Sequence, residues 1–176
     1  MLIQHPEPCK AKLASRHITQ ILAALREFET PVVALEPQIE PGSQTITRAI
    51  KSEASKLAHF AVYKNLPRDE FLMLLRNCRA LIGNSSLGIV EAASFGRPVI
   101  NIGERQRGRE HASNVIDVAI KAKEIAEAIG KINDKFVKRA QSVKNIYGDG
   151  KAGKKIYEIL NSTKFDDALL NKQLNL

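Results

Sequence analysis

A chain of 176 residues that is 44% hydrophobic and 26% charged has the size and balance of one globular domain, or of one lobe of a larger protein. No apolar run approaches the ~20 residues of a membrane helix, and the opening "MLIQHPEPCK" has neither the basic nor the apolar region of a secretory signal, so no membrane partner is expected. The formal charge of +8 suits an anionic ligand, but with 5% aromatic residues, no Trp, no zinc-finger spacing and no RNP-type run, no nucleic-acid partner is expected either.

In chain order, short apolar runs alternate with longer segments of helical periodicity. "MLIQ" (1–4) is a truncated first strand, followed by "HITQILAALREF" (17–28), with apolar residues at Ile18, Ile21, Leu22 and Leu25 on one helical face. "PVVAL" (31–35) is the second strand, and "EPGSQTITRAIKSEAS" (40–55) opens a helix with Ser43 as its N-cap. "HFAVYKNL" (59–66) is the third strand, and "PRDEFLMLLRNC" (67–78) is a helix with Pro67 at its first position. "ALIG" (80–83) is the fourth strand, "SLGIVEAASFG" (86–96) one helix closed by Gly96, and "PVINIG" (98–103) the fifth strand. "NVIDV" (114–118) is a sixth strand, with helices at 122–132 and 151–162. The tail "TKFDDALLNKQLNL" carries Leu169, Leu170, Leu174 and Leu176, which need cover if the tail is not to fray. This β-α-β-α rhythm implies an α/β fold: a Rossmann-like, doubly wound parallel sheet.

Ligands of such sheets bind beyond the carboxyl ends of the strands. There, "GNSSLG" (83–88) links the fourth strand to a helix whose first N–H groups lack intrahelical partners. Asn84, Ser85 and Ser86 are small and polar, and Gly83 and Gly88 are expected to clear room for a phosphate drawn by the N–H groups and the helix dipole. The same residues read equally as an N-cap with glycines that let helix and strand pack. Glu91, in the same helix, suits a pair of vicinal hydroxyls such as those of a ribose, or is a solvated surface carboxylate. Arg105, Arg107 and Arg109 follow the fifth strand within five residues, where guanidinium suits phosphate, or form a solvated basic loop. His5, in "QHP", leaves the first strand at the same edge; no comparable argument attaches to His17, His59 or His111. The two cysteines, Cys9 and Cys78, lack metal or redox spacing and read as free, buried or half-buried thiols in a reducing cytoplasm. No metal and no cofactor is expected.

Taken together, "IGNSSLGIVEAASFGRPVINIGERQRGRE", with "QHP" at 4–6 and "IYGDG" at 146–150, resembles the UDP-N-acetylglucosamine 2-epimerase family, in particular its hydrolysing branch. The resemblance implies the C-terminal lobe of a GT-B-like two-lobe fold, with residues 1–160 as the UDP-binding lobe, 161–176 as a terminal tail, and the N-terminal catalytic lobe absent. It implies a UDP-sugar substrate held by Ser85, Ser86 and Asn84 at the diphosphate, Glu91 at the ribose, Arg105 at the phosphates or sugar, and Phe71 at the uracil. Phe71 also reads as plain helix core. Gln38 stands where the branch often has Asn, and His5 would be catalytic, beside the diphosphate at the reacting end. The implied chemistry is elimination of UDP across C1–C2 and addition of water, giving a free sugar such as N-acetylmannosamine, in sialic-acid-type biosynthesis in the cytoplasm. The missing lobe and a second copy in a homodimer are the expected protein partners, and the fragment alone is expected to be inactive. A GT-B glycosyltransferase donor lobe, a non-catalytic binding module and a basic nucleic-acid binder are the competing readings.

Overall fold

The structure, a computed structural model, describes residues 1–171, so Leu174 and Leu176 lie outside the described residues. Six short strands form one parallel sheet: β1 (Leu2–Ile3), β2 (Val32–Leu35), β3 (Phe60–Tyr63), β4 (Leu81–Gly83), β5 (Val99–Ile102) and β6 (Val115–Val118). Their spatial order is β3-β2-β1-β4-β5-β6. The chain therefore winds outward from β1 to β3, returns to lay β4 against the other side of β1, and winds outward again, which is the doubly wound Rossmann arrangement.

Successive side chains of a strand face opposite sides of the sheet, and both sides here are buried. Leu2, Ile100 and Ile102 enter one core with α1 (Ala14–Leu25), α2 (Ser43–Ala54) and α5 (Ala122–Gly130). Ile3, Leu81 and Val99 enter the other, with Leu75 of α3 (Arg68–Asn77) and Leu87 of α4 (Ser86–Val90). A further helix, α6 (Asp134–Gln141), and a 3-10 segment at Pro8–Leu13 were not legible from periodicity. Ser43 is not the N-cap of α2: Gly42, at φ 94, holds that position, and Ser43 is the first helical residue. Pro67 likewise stands one residue before α3, as its N-cap. Cys78 is half-buried as expected, whereas Cys9, in the 3-10 segment, is exposed, which corrects its expected burial.

The chain divides into two compact units, Met1–Ile146 and Tyr147–Leu176. The second contains α7 (Ala152–Ser162) and α8 (Asp167–Leu170). Within it Ile156, Tyr157, Ile159, Leu160 and Leu169 are exposed. No helix among the described residues is long and apolar enough to cross a membrane.

One buried charge in the first unit gives a measurable signature. Glu53 of α2 is 2% exposed, and its two carboxylate oxygens accept hydrogen bonds from Nε and Nη2 of Arg26. Arg26 holds the Glu53 carboxyl below the usual carboxylate range, against the upward push of burial. Its contribution to stability is thus present above the unfolded carboxyl's pKa and is lost as pH falls through the folded value. Arg26→Ala leaves burial dominant, so the folded Glu53 carboxyl should titrate above its unfolded value, and the stability gap between the variant and the native chain should narrow as pH falls. The expected cost near neutral pH is about 1–3 kcal/mol, kept modest because the guanidinium is half-exposed. Urea unfolding of both chains across the acid range checks the magnitude and the narrowing gap.

Candidate functional site

The switch between the two windings falls between β1 and β4, and in sheets of this kind that is where the ligand crevice opens. His5 leaves β1 and Asn84, Ser85 and Ser86 leave β4 at this point. The approach depends on Gly83, at φ +131, where a Cβ would lie 2.0 Å from the Ile3 carbonyl oxygen. Asn84 N–H then donates to that same oxygen at 3.2 Å. Gly88 has a related duty, since a Cβ there would meet Val99 Cγ1 at 2.8 Å. The expectation that these glycines clear room for a phosphate is therefore corrected: both admit protein, Gly83 a neighbouring strand and Gly88 a neighbouring side chain.

Asn84 is completely buried and its side chain is committed to His5. Its Oδ1 accepts from His5 N–H at 2.7 Å, and its Nδ2 donates to the His5 carbonyl at 2.9 Å. The structure thus puts the Asn84 side chain beneath the crevice, which corrects its expected contact with UDP. The Asn84 carbonyl in turn accepts from Gln106 Nε2 at 2.9 Å and from Arg105 Nη1 at 3.3 Å. Arg105 also lies 3.6 Å from Glu40. The loop bearing Arg105 is pinned to the segment after β1, because Glu104 N–H donates to the buried Glu7 carboxylate at 3.2 Å and Lys10 bridges both glutamates.

The His5 imidazole is buried, and its Nδ1 accepts from the Gln38 backbone N–H at 3.2 Å. Gln38 therefore reaches His5 through its main chain, while the residue itself is exposed. Burial lowers the pKa of His5, the nearby Arg105 charge lowers it further, and Glu40 opposes them. A neutral ring with Nδ1 accepting carries its proton on Nε2.

Ser85 is the N-cap of α4, its hydroxyl accepting from Leu87 N–H at 3.4 Å. Ser85 and Ser86 are half-buried, and their own N–H groups have no hydrogen-bond partner among the described residues. The helix they open is shorter than its periodicity suggested. It spans Ser86–Val90, breaks at Glu91 (φ -112), and resumes as a 3-10 turn, Ala92–Phe95, ended by Gly96 at φ 62. At five residues it contributes little macrodipole, so any anion here relies on the free N–H groups.

Glu91 is half-exposed at that break, with Oε2 3.2 Å from Arg68 Nη2. Arg68 also lies over the Phe71 ring, 5.7 Å from its centroid. Phe71 itself packs on the second core while staying partly exposed. Arg107 is turned to Glu104, and Arg109 is exposed. His111 pairs with Asp117 at 2.8 Å, further along the same edge. Arg68, Glu40 and Gln106 drew no functional reading from the sequence. Arg68 had a signal, being one helical turn from Phe71; Gln106 and Glu40 had none, because only folding brings Gln106 to Asn84 and Glu40 to Arg105.

Comparison with known proteins bears on the family and the fold. A UDP-N-acetylglucosamine 2-epimerase family model matches residues 1–161. The chain is 33% identical to a UDP-N,N'-diacetylbacillosamine 2-epimerase (hydrolyzing) from Legionella pneumophila, covering 98% of this chain and 45% of that protein. It is 29% identical to a UDP-N-acetylglucosamine 2-epimerase from Neisseria meningitidis, over 71% of this chain and 33% of that one. The chain thus spans less than half the length of these relatives. The fold is shared with the UDP-GlcNAc 2-epimerase of Methanocaldococcus jannaschii solved with UDP-GlcNAc and UDP, at TM-score 0.70 and 19% identity over 92% of this chain and 45% of that one. A structure from Neisseria meningitidis bound to UDP-GlcNAc gives TM-score 0.73 at 19% identity, over 92% of this chain and 44% of that one. With a family match over residues 1–161 of 176, the chain belongs to the UDP-N-acetylglucosamine 2-epimerase family.

Proposed function

We propose that this chain is the UDP-sugar-holding, C-terminal lobe of a hydrolysing UDP-N-acetylglucosamine 2-epimerase. The observation that carries the reading is the meeting, at the switch point, of His5, the free N–H groups of Ser85 and Ser86, and Arg105. A diphosphate there accepts from the two amides, the serine hydroxyls and the guanidinium. The ribose hydroxyls donate to Glu91, and the uracil lies against Phe71. His5, neutral and with its proton on Nε2, donates toward the oxygen that leaves with UDP, and Gln38 lies beside the sugar end.

The reaction removes the C2 proton and breaks the C1–O bond, releasing UDP and leaving a C1–C2 double bond in the sugar. Water then adds at C1 and a proton returns to C2 on the opposite face, giving the 2-epimeric free sugar, N-acetylmannosamine. Such chemistry needs a base at C2 and stabilisation of the departing diphosphate. This lobe provides the second. The proton-moving carboxylates belong to the N-terminal lobe, so the 176-residue chain binds UDP weakly and turns nothing over alone. The full enzyme acts in the cytoplasm, in sialic-acid-type sugar synthesis, with a homodimer as its expected assembly. A polysialic acid biosynthesis relative from Escherichia coli, 29% identical over 150 residues, supports that setting. A diacetamido sugar is the second reading for the substrate, favoured by the name of the Legionella relative.

Titration of UDP onto the chain tests the site. Ser86→Ala and Glu91→Ala are each expected to weaken binding about three- to tenfold, as loss of one hydrogen bond to a charged or polyol ligand does. Unchanged affinity in both variants would move the site elsewhere.

A further inference from the structure

The crevice contains a fully buried side chain that serves His5 and nothing else. Asn84 grips His5 on both sides of its Cα, at the N–H (2.7 Å) and at the carbonyl (2.9 Å). Gln4 Nε2 adds a third bond, to the same carbonyl, at 3.2 Å. A residue held at both its N–H and its C=O has little freedom to turn, so its Cα–Cβ direction is set. The ring then meets the Gln38 amide at Nδ1, and Nε2 has no protein partner among the described residues. Gln106 braces the tie from outside by donating to the Asn84 carbonyl. Gln106 is 5% exposed, and its Oε1 has no hydrogen-bond partner among the described residues. A buried amide with one end unpaired costs stability that an apolar side chain of the same size would not. Its presence is therefore poorly explained by packing and well explained by the single bond it makes.

Building on the reading of His5 as the group at the reacting end, we propose that Asn84, braced by Gln106, is a positioning residue that aims the His5 imidazole and keeps it in one tautomer with Nε2–H presented to the ligand. The tie spans the exits of β1, β4 and the loop after β5: the Asn84 side chain joins the first two, and the Gln106 side chain joins the third to the Asn84 main chain. Arg105 and Glu40 are the charged groups facing His5, and neither touches its backbone.

The test is nitrogen NMR of the His5 ring in the 176-residue chain, with UDP titration alongside. The native chain should show the Nε2–H tautomer and a midpoint below the ordinary imidazole value of about 6.5. In Asn84→Ala the two tautomers should average, the midpoint should move back toward that value, and UDP affinity should fall about tenfold. Gln106→Met should shift both ring readouts in the same direction by less. Ile125→Ala, in the core on α5, lowers stability without contact to the tie and should leave the His5 spectrum unmoved. A folded Asn84→Ala chain with native His5 signals overturns the proposal. If that chain does not fold, Gln106→Met decides, and an unmoved spectrum there overturns it equally. Failure of UDP to bind a native chain whose His5 still responds to these variants would remove the nucleotide reading and keep the tie.

Discussion

A chain carrying Gly83→Ala is expected to lose about 3–5 kcal/mol of stability, a large share of what a single domain has. Two costs add. The new Cβ would lie 2.0 Å from the Ile3 carbonyl oxygen and 2.6 Å from its carbon, and both are backbone atoms that move only if β1 and β4 part. The residue also sits at φ +131, a conformation side-chain-bearing residues rarely adopt. Parting the strands would carry Asn84 away from His5, so whatever folds should also have lost UDP affinity. Gly130→Ala is the control: nothing lies near its Cβ and its φ is ordinary, so it should be neutral or slightly stabilising. Urea unfolding of the three chains checks this. Equal midpoints for Gly83→Ala and the native chain would show that β1 and β4 do not approach in solution as described.

Arg105→Ala is expected to weaken UDP binding by about 10- to 100-fold near pH 8, with a visibly smaller loss near pH 6. The guanidinium is largely buried, already hydrogen-bonded to the floor of the crevice at the Asn84 carbonyl, and balanced by Glu40. In the proposed site its removal takes away a charge-assisted bond to the diphosphate. It also removes the positive neighbour that helps to depress the His5 pKa, while Glu40, which raises it, remains. His5 in the variant should therefore protonate nearer its ordinary range and, on mild acidification, restore part of the lost positive charge. Comparing the two chains at each pH cancels the ligand's own titration. Calorimetry at both pH values reads the effect. A loss equal at the two values would separate His5 from the diphosphate, and unchanged affinity would take Arg105 out of the site.

The order of elements was legible because both faces of the sheet are covered. Val32–Leu35, Phe60–Tyr63, Val99–Ile102 and Val115–Val118 stand out as short apolar runs between helical periodicities. The crevice was partly legible for a related reason. A strand that ends in small polar residues before a helix, and an arginine loop after the next strand, are local patterns. Where local pattern failed, a neighbour distant in sequence had decided. The capping of α2 by Gly42 instead of Ser43 goes with close packing, since a Cβ at Gly42 would meet Ala14, Ala11 and Pro6 at 3.2–3.3 Å. Asn84 is the clearest case, for a polar residue in a phosphate-like turn reads as a ligand contact until the chain 79 residues away is known to bond it at both ends.

The sequence by itself determined the alternation of strand and helix, the family pattern and the small-residue turn after β4, because these depend on spacing within a few residues. Only the tertiary structure decided what each polar group is for. It brought β1 beside β4, gave the Gly83 vacancy to a carbonyl oxygen, turned Asn84 inward to His5, and set Arg68 between Glu91 and Phe71. The physical reason is that a hydrogen bond or ion pair is specified by two partners, and in this fold the second partner comes from another strand exit or another helix.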